Sequence, residues 1–175
     1  TNHIAVGGTG LFNRSTNNGT NWTTLTTWLS AGTLYDVWAE HNDKKVWAVG
    51  SPGSSGSTFD QILYSTNGGI TWVNQAINST RYFRSISMIN AATGYIAGSS
   101  GAVRKTTNGG TTWDSLPFPS TSLLYKAEFV NASTGWVGGS SSPYIWKTTD
   151  GGLTWASQTG PTATVYSIDM IDANT

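Results

Sequence analysis

Apolar and turn-forming residues alternate in short blocks along this chain. Where the pattern is clearest, runs rich in β-branched and aromatic residues at 124–130, 135–139, 144–148 and 155–158 are separated by Gly, Asn, Ser and Asp. Apolar runs this short, bounded by turn residues, predict strands, because a helix needs about ten or more residues to cover one face. The same blocks recur upstream. The chain is read as entering at a second strand, residues 4–8, and as ending just after a first strand, residues 165–171.

One octet punctuates the pattern: STNNGTNW at 15–22, STNGGITW at 65–72, TTNGGTTW at 106–113 and TTDGGLTW at 148–155. Its closing tryptophans, Trp22, Trp72, Trp113 and Trp155, are spaced 50, 41 and 42 residues apart. A fixed unit of about 41 residues with one insertion accounts for all three intervals, and the insertion is the Ser/Gly/Pro stretch at 51–57, a surface loop by composition. Four short strands in a unit of 40 to 45 residues is the blade of a propeller. The expected fold is therefore all-β, a β-propeller of four-stranded antiparallel blades. The chain carries four repeats as a single segment of a larger propeller, with blade units at about 1–40, 41–90, 91–131 and 132–175 and incomplete first and last blades.

The octet falls between the third and fourth strands. Its Asn-Gly and Asp-Gly pairs are expected to supply the positive φ angles of a tight turn, while the side-chain oxygen of Asn67, Asn108 or Asp150 accepts from backbone N–H groups. The terminal tryptophan offers a large apolar face that locks the hairpin to its blade. Three of the four copies carry Asn at this place, which keeps the acceptor and removes the carboxylate, so the motif reads as structural.

Composition narrows the function. At 175 residues the chain is one domain's worth of core, burying about 70% of its unfolded surface. Nine basic and nine acidic residues give a formal net charge of zero, so no field steers nucleic acid or an anionic membrane. No cysteine is present, which removes disulfides and thiolate metal sites. No apolar run approaches a membrane span, and residues 1–3 carry no signal-peptide pattern. Solubility rests on Asn, Thr, Ser and Gly rather than on Lys and Glu, a habit of exported bacterial proteins. Five Asn-x-Ser/Thr sequons, at Asn13, Asn18, Asn21, Asn78 and Asn131, are ordinary for so Asn- and Thr-rich a chain.

The run from Tyr125 to Asn131, then Thr134 to Gly139, then Lys147 to Trp155, resembles the repeat of the photosystem II stability and assembly factor family. Bacterial neuraminidase repeats, sortilin-type propellers and xyloglucanases share only the octet, the Asp-box. The resemblance covers nearly the whole chain and implies the propeller fold, not one function. In the related glycosidase propellers the substrate site lies on the rim opposite the Asp-boxes. By analogy, binding residues are sought there: Phe59 and Asp60 after the insertion, Arg81, Tyr82 and Arg84 before a first strand, and Tyr144, with Tyr35, Tyr125 and Tyr166 at equivalent places of the repeat. Arg and aromatic side chains are frequent interface anchors. Repeated tyrosines also have a packing explanation, whereas Arg81 and Arg84 do not repeat.

Catalysis is poorly provided for. A sialidase needs three clustered arginines and a tyrosine nucleophile. Of Arg14, Arg81, Arg84 and Arg104, Arg14 shares a column with Tyr64, Lys105 and Lys147, and Arg104 with Leu63 and Trp146, so no triad remains. Glu128 and Asp169, at equivalent first-strand positions, are the one pair of carboxylates open to glycosidase chemistry. His3 and His41 lack ligand-spaced partners. No catalytic residue, metal or cofactor is expected. The chain reads as an extracellular or cell-surface module that binds a protein or glycan, with no nucleic-acid partner and no membrane insertion, self-associating if it is half of a propeller. The alternative is a fragment of a sialidase- or xyloglucanase-like glycoside hydrolase.

Overall fold

The computed structural model describes residues 2–26, 32–40, 44–53, 61–75 and 80–170. They form two compact units, Thr1–Phe83 and Arg84–Thr175. The first unit begins with a three-stranded antiparallel sheet, β1 (His3–Val6), β2 (Leu11–Ser15) and β3 (Thr23–Thr26). It continues with a four-stranded meander, β4 (Thr33–Ala39), β5 (Val46–Ser51), β6 (Gln61–Ser65) and β7 (Val73–Asn74). The second unit takes up the chain within β8 (Phe83–Met88), followed by β9 (Gly94–Gly98), β10 (Val103–Thr106) and β11 (Asp114–Ser115). Its other sheet is β12 (Leu124–Phe129), β13 (Gly135–Gly139), β14 (Ile145–Thr148) and β15 (Ala156–Gln158).

Within each sheet, burial follows strand order. The second strands β9 and β13 are buried at every residue, and β5 at all but its last, which is why they read as continuous apolar and glycine runs rather than as alternation. The fourth strands are two or three residues long and largely exposed. Such short edges offer little backbone for another chain to pair with.

The cores lie between successive sheets of a unit. In the first unit Phe12 of β2 meets Leu34, Val46, Leu63 and Trp72 of the next sheet. In the second, Tyr95 and Val103 meet Leu124, Phe129 and Val137, with the rings of Tyr95 and Phe129 stacked at 3.5 Å. Backbone bonds follow the same joint. The Leu34 N–H donates to the Gly7 carbonyl at 3.0 Å, and the Gly101 N–H to the Ser122 carbonyl at 2.8 Å. The buried Ser87 hydroxyl accepts from the Phe129 N–H at 3.0 Å, so one first strand caps a free donor of the next.

The expected strand at 165–171 is not a strand over its described part: residues 159–170 pair with no partner strand. A first strand pairs with the second strand of its own sheet, and none follows it among the described residues. The segment nonetheless docks as first strands do, the Val165 N–H donating to the Gly139 carbonyl at 3.1 Å as Leu34 does to Gly7.

Candidate binding face

The octet turns share one hydrogen-bond pattern. In the second copy the Ser65 hydroxyl donates to Asn67 Oδ1 at 2.9 Å and accepts the Gly69 N–H at 2.8 Å, while Asn67 Oδ1 also accepts the Thr71 N–H at 2.9 Å. The third copy repeats this with Thr106, Asn108, Gly110 and Thr112, and the fourth with Thr148, Asp150, Gly152 and Thr154. The positive φ angles fall on the two residues after the Asn or Asp: Gly68 at 70° and Gly69 at 86°, and in the first copy Asn18 at 61° and Gly19 at 82°. In the second, third and fourth copies the Asn-Gly or Asp-Gly pair as a whole is thus not the left-handed element, whereas in the first copy Asn18-Gly19 is. The acceptor residue keeps ordinary backbone, and its side chain does the bonding.

Asp150 adds a charge to this pattern. The Thr154 hydroxyl donates to Oδ2 at 2.5 Å and the Thr154 N–H to Oδ1, and these bonds hold its carboxyl at about 2 against an ordinary 3.8. A carboxylate whose folded-state pKa is depressed stabilises the fold above its unfolded pKa and loses that contribution as pH falls toward the folded value. Urea midpoints of the wild type are therefore expected to fall more steeply between pH 4 and pH 2 than those of Asp150→Asn, which keeps the acceptor oxygen as Asn67 and Asn108 do. Identical slopes would remove the charge from the account.

The second, third and fourth octets lie against the turn between the first and second strands of their own sheets. The Gly68 N–H donates to the Lys44 carbonyl, Gly109 to Ala92 and Gly151 to Ser133, at 2.8 to 2.9 Å. The starts of the first strands are consequently at the other end of each sheet. There, equivalent positions of the repeat hold Tyr35 in the first unit and Arg84, Tyr125 and Tyr166 in the second. In β4 and β12 the pairing register shifts across Tyr35 and Tyr125, a bulge that re-aims one side chain out of the ladder. In the second unit the Arg84 guanidinium carbon lies 4.9 Å from the centre of the Tyr125 ring, whose other neighbour is the Tyr166 ring at 4.8 Å. Tyr166 is 68% exposed. In the first unit the Tyr35 and Tyr82 rings lie 6.2 Å apart, and the Tyr35 hydroxyl bonds that of Ser51 at 3.1 Å.

Arg84 is accordingly the second residue of β8, half-buried and stacked, not part of the loop before it. Arg81 is exposed and Tyr82 half-buried. Tyr144 is half-buried just before β14, its carbonyl accepting the Gly139 N–H at 3.0 Å. Phe59, Asp60 and His41 lie outside the described residues. Trp72 and Trp113 are buried at 9% and 4% exposure, Trp155 is half-buried, and Trp22 is 47% exposed. Trp72 packs edge-on against Phe12 of the preceding sheet at 4.9 Å, whereas no sheet precedes that of Trp22 in this chain.

The carboxylate of Glu128 lies 3.5 Å from Lys126 Nζ. Lys105 and Lys147 stand over the rings of Tyr95 and Trp136, cross-strand pairs that account for that column of cations. Among the described residues no three His, Asp or Glu side chains cluster as a metal site would need. One feature escaped sequence reasoning: a shallow apolar cleft of about 280 Å³ on the second unit, lined by Pro117, Phe118, Pro119, Leu153, Thr154 and Trp155. The departure of the 116–119 stretch, Leu-Pro-Phe-Pro, from the other repeats was its one signal.

No protein-family model and no curated protein matches the chain. Solved structures do. YCF48 from Cyanidioschyzon merolae, a photosystem II assembly factor, superposes with a TM-score of 0.70 at 18% identity over 97% of this chain and 58% of its own. The fold is that of a β-propeller. A second YCF48 structure, bound to D1 peptide, gives 0.69 at 18% identity over 87% of this chain and 49% of that one. The GH74 enzyme of Niastella koreensis gives 0.71 at 18% identity over 89% and 27%. This propeller chain thus spans about half of the YCF48 chains and about a quarter of the enzyme.

Proposed function

We propose that the chain is part of a non-enzymatic propeller, outside the cell or on its surface, that binds a protein or glycan through the sheet ends opposite the octets. The observation that carries this reading is Arg84 in a column of tyrosines. A packing column has no need of a guanidinium, yet Arg84 stacks on Tyr125, and Tyr166 beyond it leaves most of its ring to solvent. A cation and flat aromatic faces are what bound peptides and sugars exploit. The YCF48 structure bound to D1 peptide supports a peptide as the ligand of a propeller of this shape.

Changed singly, Arg81→Ala and Tyr166→Ala are expected to shift stability by no more than about 0.5 kcal/mol, as exposed substitutions do. On peptide and glycan arrays at least one of them should weaken binding about tenfold, a loss of about 1.4 kcal/mol. Unchanged binding by both, with binding lost on changing Lys44 at the octet end, would move the interface to the opposite face.

The second reading, a piece of a glycoside hydrolase, draws on the GH74 likeness and on Glu128 and Asp169 sharing a column. The Lys126 partner of Glu128 favours a structural carboxylate. Hydrolysis of β-glucan or sialoside by the full-length protein, abolished by Glu128→Gln or Asp169→Asn with the fold intact, would establish the enzyme instead.

A further inference from the structure

Three Asn-Gly pairs occur in the octets: Asn18-Gly19, Asn67-Gly68 and Asn108-Gly109. In such a pair the peptide nitrogen of glycine has no neighbouring side chain to shield it, so it can attack the asparagine amide when the two approach. The fold treats the three pairs differently. Asn67 is fixed at both ends of its amide, Oδ1 by the Ser65 hydroxyl and the Thr71 N–H, Nδ2 by donation to Thr71 Oγ1 at 2.8 Å. Its would-be attacker, the Gly68 nitrogen, donates to the Lys44 carbonyl at 2.9 Å. Asn108 is held in the same way by Thr106 and Thr112, with the Gly109 nitrogen on the Ala92 carbonyl at 2.8 Å.

Asn18 stands one place later in its octet, where the other copies have their first glycine, and it is exposed with φ at 61°. The acceptor role in this copy belongs to Asn17, whose Oδ1 takes the Asn21 N–H at 2.9 Å. The Asn18 amide meets the exposed His3 ring, Nε2 to Oδ1 at 3.3 Å. The Gly19 N–H donates to the Ser15 hydroxyl at 2.9 Å, a rotatable partner rather than a backbone carbonyl. A non-glycine residue in the left-handed region also carries backbone strain.

We propose that Asn18 is a self-modification site that deamidates in the folded protein, while the octet network protects Asn67 and Asn108. The Gly19 nitrogen gives its proton to water and bonds to Asn18 Cγ; water returns a proton to Nδ2, the Cγ–Nδ2 bond breaks, and ammonia leaves a cyclic imide. Water then adds to one of the two imide carbonyls, opening the ring to aspartate or isoaspartate with no change of oxidation state. Either product puts one negative charge beside His3 on a chain whose formal net charge is zero.

The test is peptide mapping by mass spectrometry of the folded protein held in mildly alkaline buffer, following conversion of amide to acid in peptides 15–22, 65–72 and 106–113. The first is expected to convert several-fold faster than the other two, and all three at comparable rates in urea. Equal rates in the folded protein, or earlier conversion at Asn67 or Asn108, would overturn the proposal. Asn18→Asp, which has no amide to lose, should abolish conversion in peptide 15–22, and its persistence would place the reaction at Asn17 or Asn21. Thr71→Val, which removes the partner of Asn67 Nδ2, should raise conversion at Asn67 and leave Asn108 unchanged. No rise at Asn67 would refute protection by restraint.

Discussion

Trp72→Ala is expected to lower the unfolding free energy by about 3–5 kcal/mol, the range for removing a packed large aromatic. Trp22→Ala should cost less than about 1 kcal/mol, since half-exposed side chains have little packing to lose. The two residues close different copies of one octet, so the repeat assigns them one role. What differs is the neighbour: Trp72 is buried edge-on against Phe12 within the first unit's core, while Trp22 meets the exposed His3 at 6.4 Å and bonds the Gly19 carbonyl through Nε1. Urea denaturation followed by far-UV circular dichroism separates them without relying on tryptophan emission. Equal costs would mean that the turn's own hydrogen bonds, and not the ring against the preceding sheet, anchor the hairpin.

Gly69→Ala should be the more damaging of two substitutions at one octet position, the other being Gly19→Ala. Both glycines are left-handed, at 86° and 82°, so each alanine carries a backbone penalty of about 1–2 kcal/mol. A Cβ at Gly19 meets nothing within 4 Å, but one at Gly69 would lie 2.3 Å from a carbon of the Phe12 ring. Overpacking a filled core adds about 1–3 kcal/mol. The difference between the two variants therefore measures the contact itself, and Phe12→Leu in the Gly69→Ala background should recover part of it. If the two alanines cost the same, Phe12 yields freely and the sheets are loosely joined.

The fold was legible because the repeat is written in residues whose roles are local. The glycine pairs, the Ser or Thr that opens each octet and the Asn or Asp two places on all act within a few residues of themselves, so the string alone states the turn. The binding face was less legible. Arg84 lies 41 residues before Tyr125, as Trp72 lies 41 before Trp113, so the repeat equates the two positions. Arg84 nonetheless read as loop, because an arginine close to Arg81 carries little strand propensity of its own, when it occupies a tyrosine position of β8. The exposure of Trp22 and the cleft beside Trp155 were not legible for a different reason. The first depends on whether a preceding sheet covers the ring, as Phe12 covers Trp72, and the second on the connection that presents Phe118, and these positions vary between repeats.

The bond from Leu34 to Gly7 in one unit, and from Val165 to Gly139 in the other, joins a first strand, or the unpaired segment at its place, to the sheet before it through main-chain atoms alone. A linkage that asks nothing of side chains is indifferent to which repeat supplies either partner. Duplication or loss of a whole 41-residue period would keep such a main-chain seam in register, much as repeat arrays add nearest-neighbour interfaces of constant kind, and would leave only the side chains packed across it, such as Phe12 with Trp72 or Tyr95 with Phe129, to be matched. What limits copy number in a chain built this way is then the fit of side chains at each joint and not the backbone.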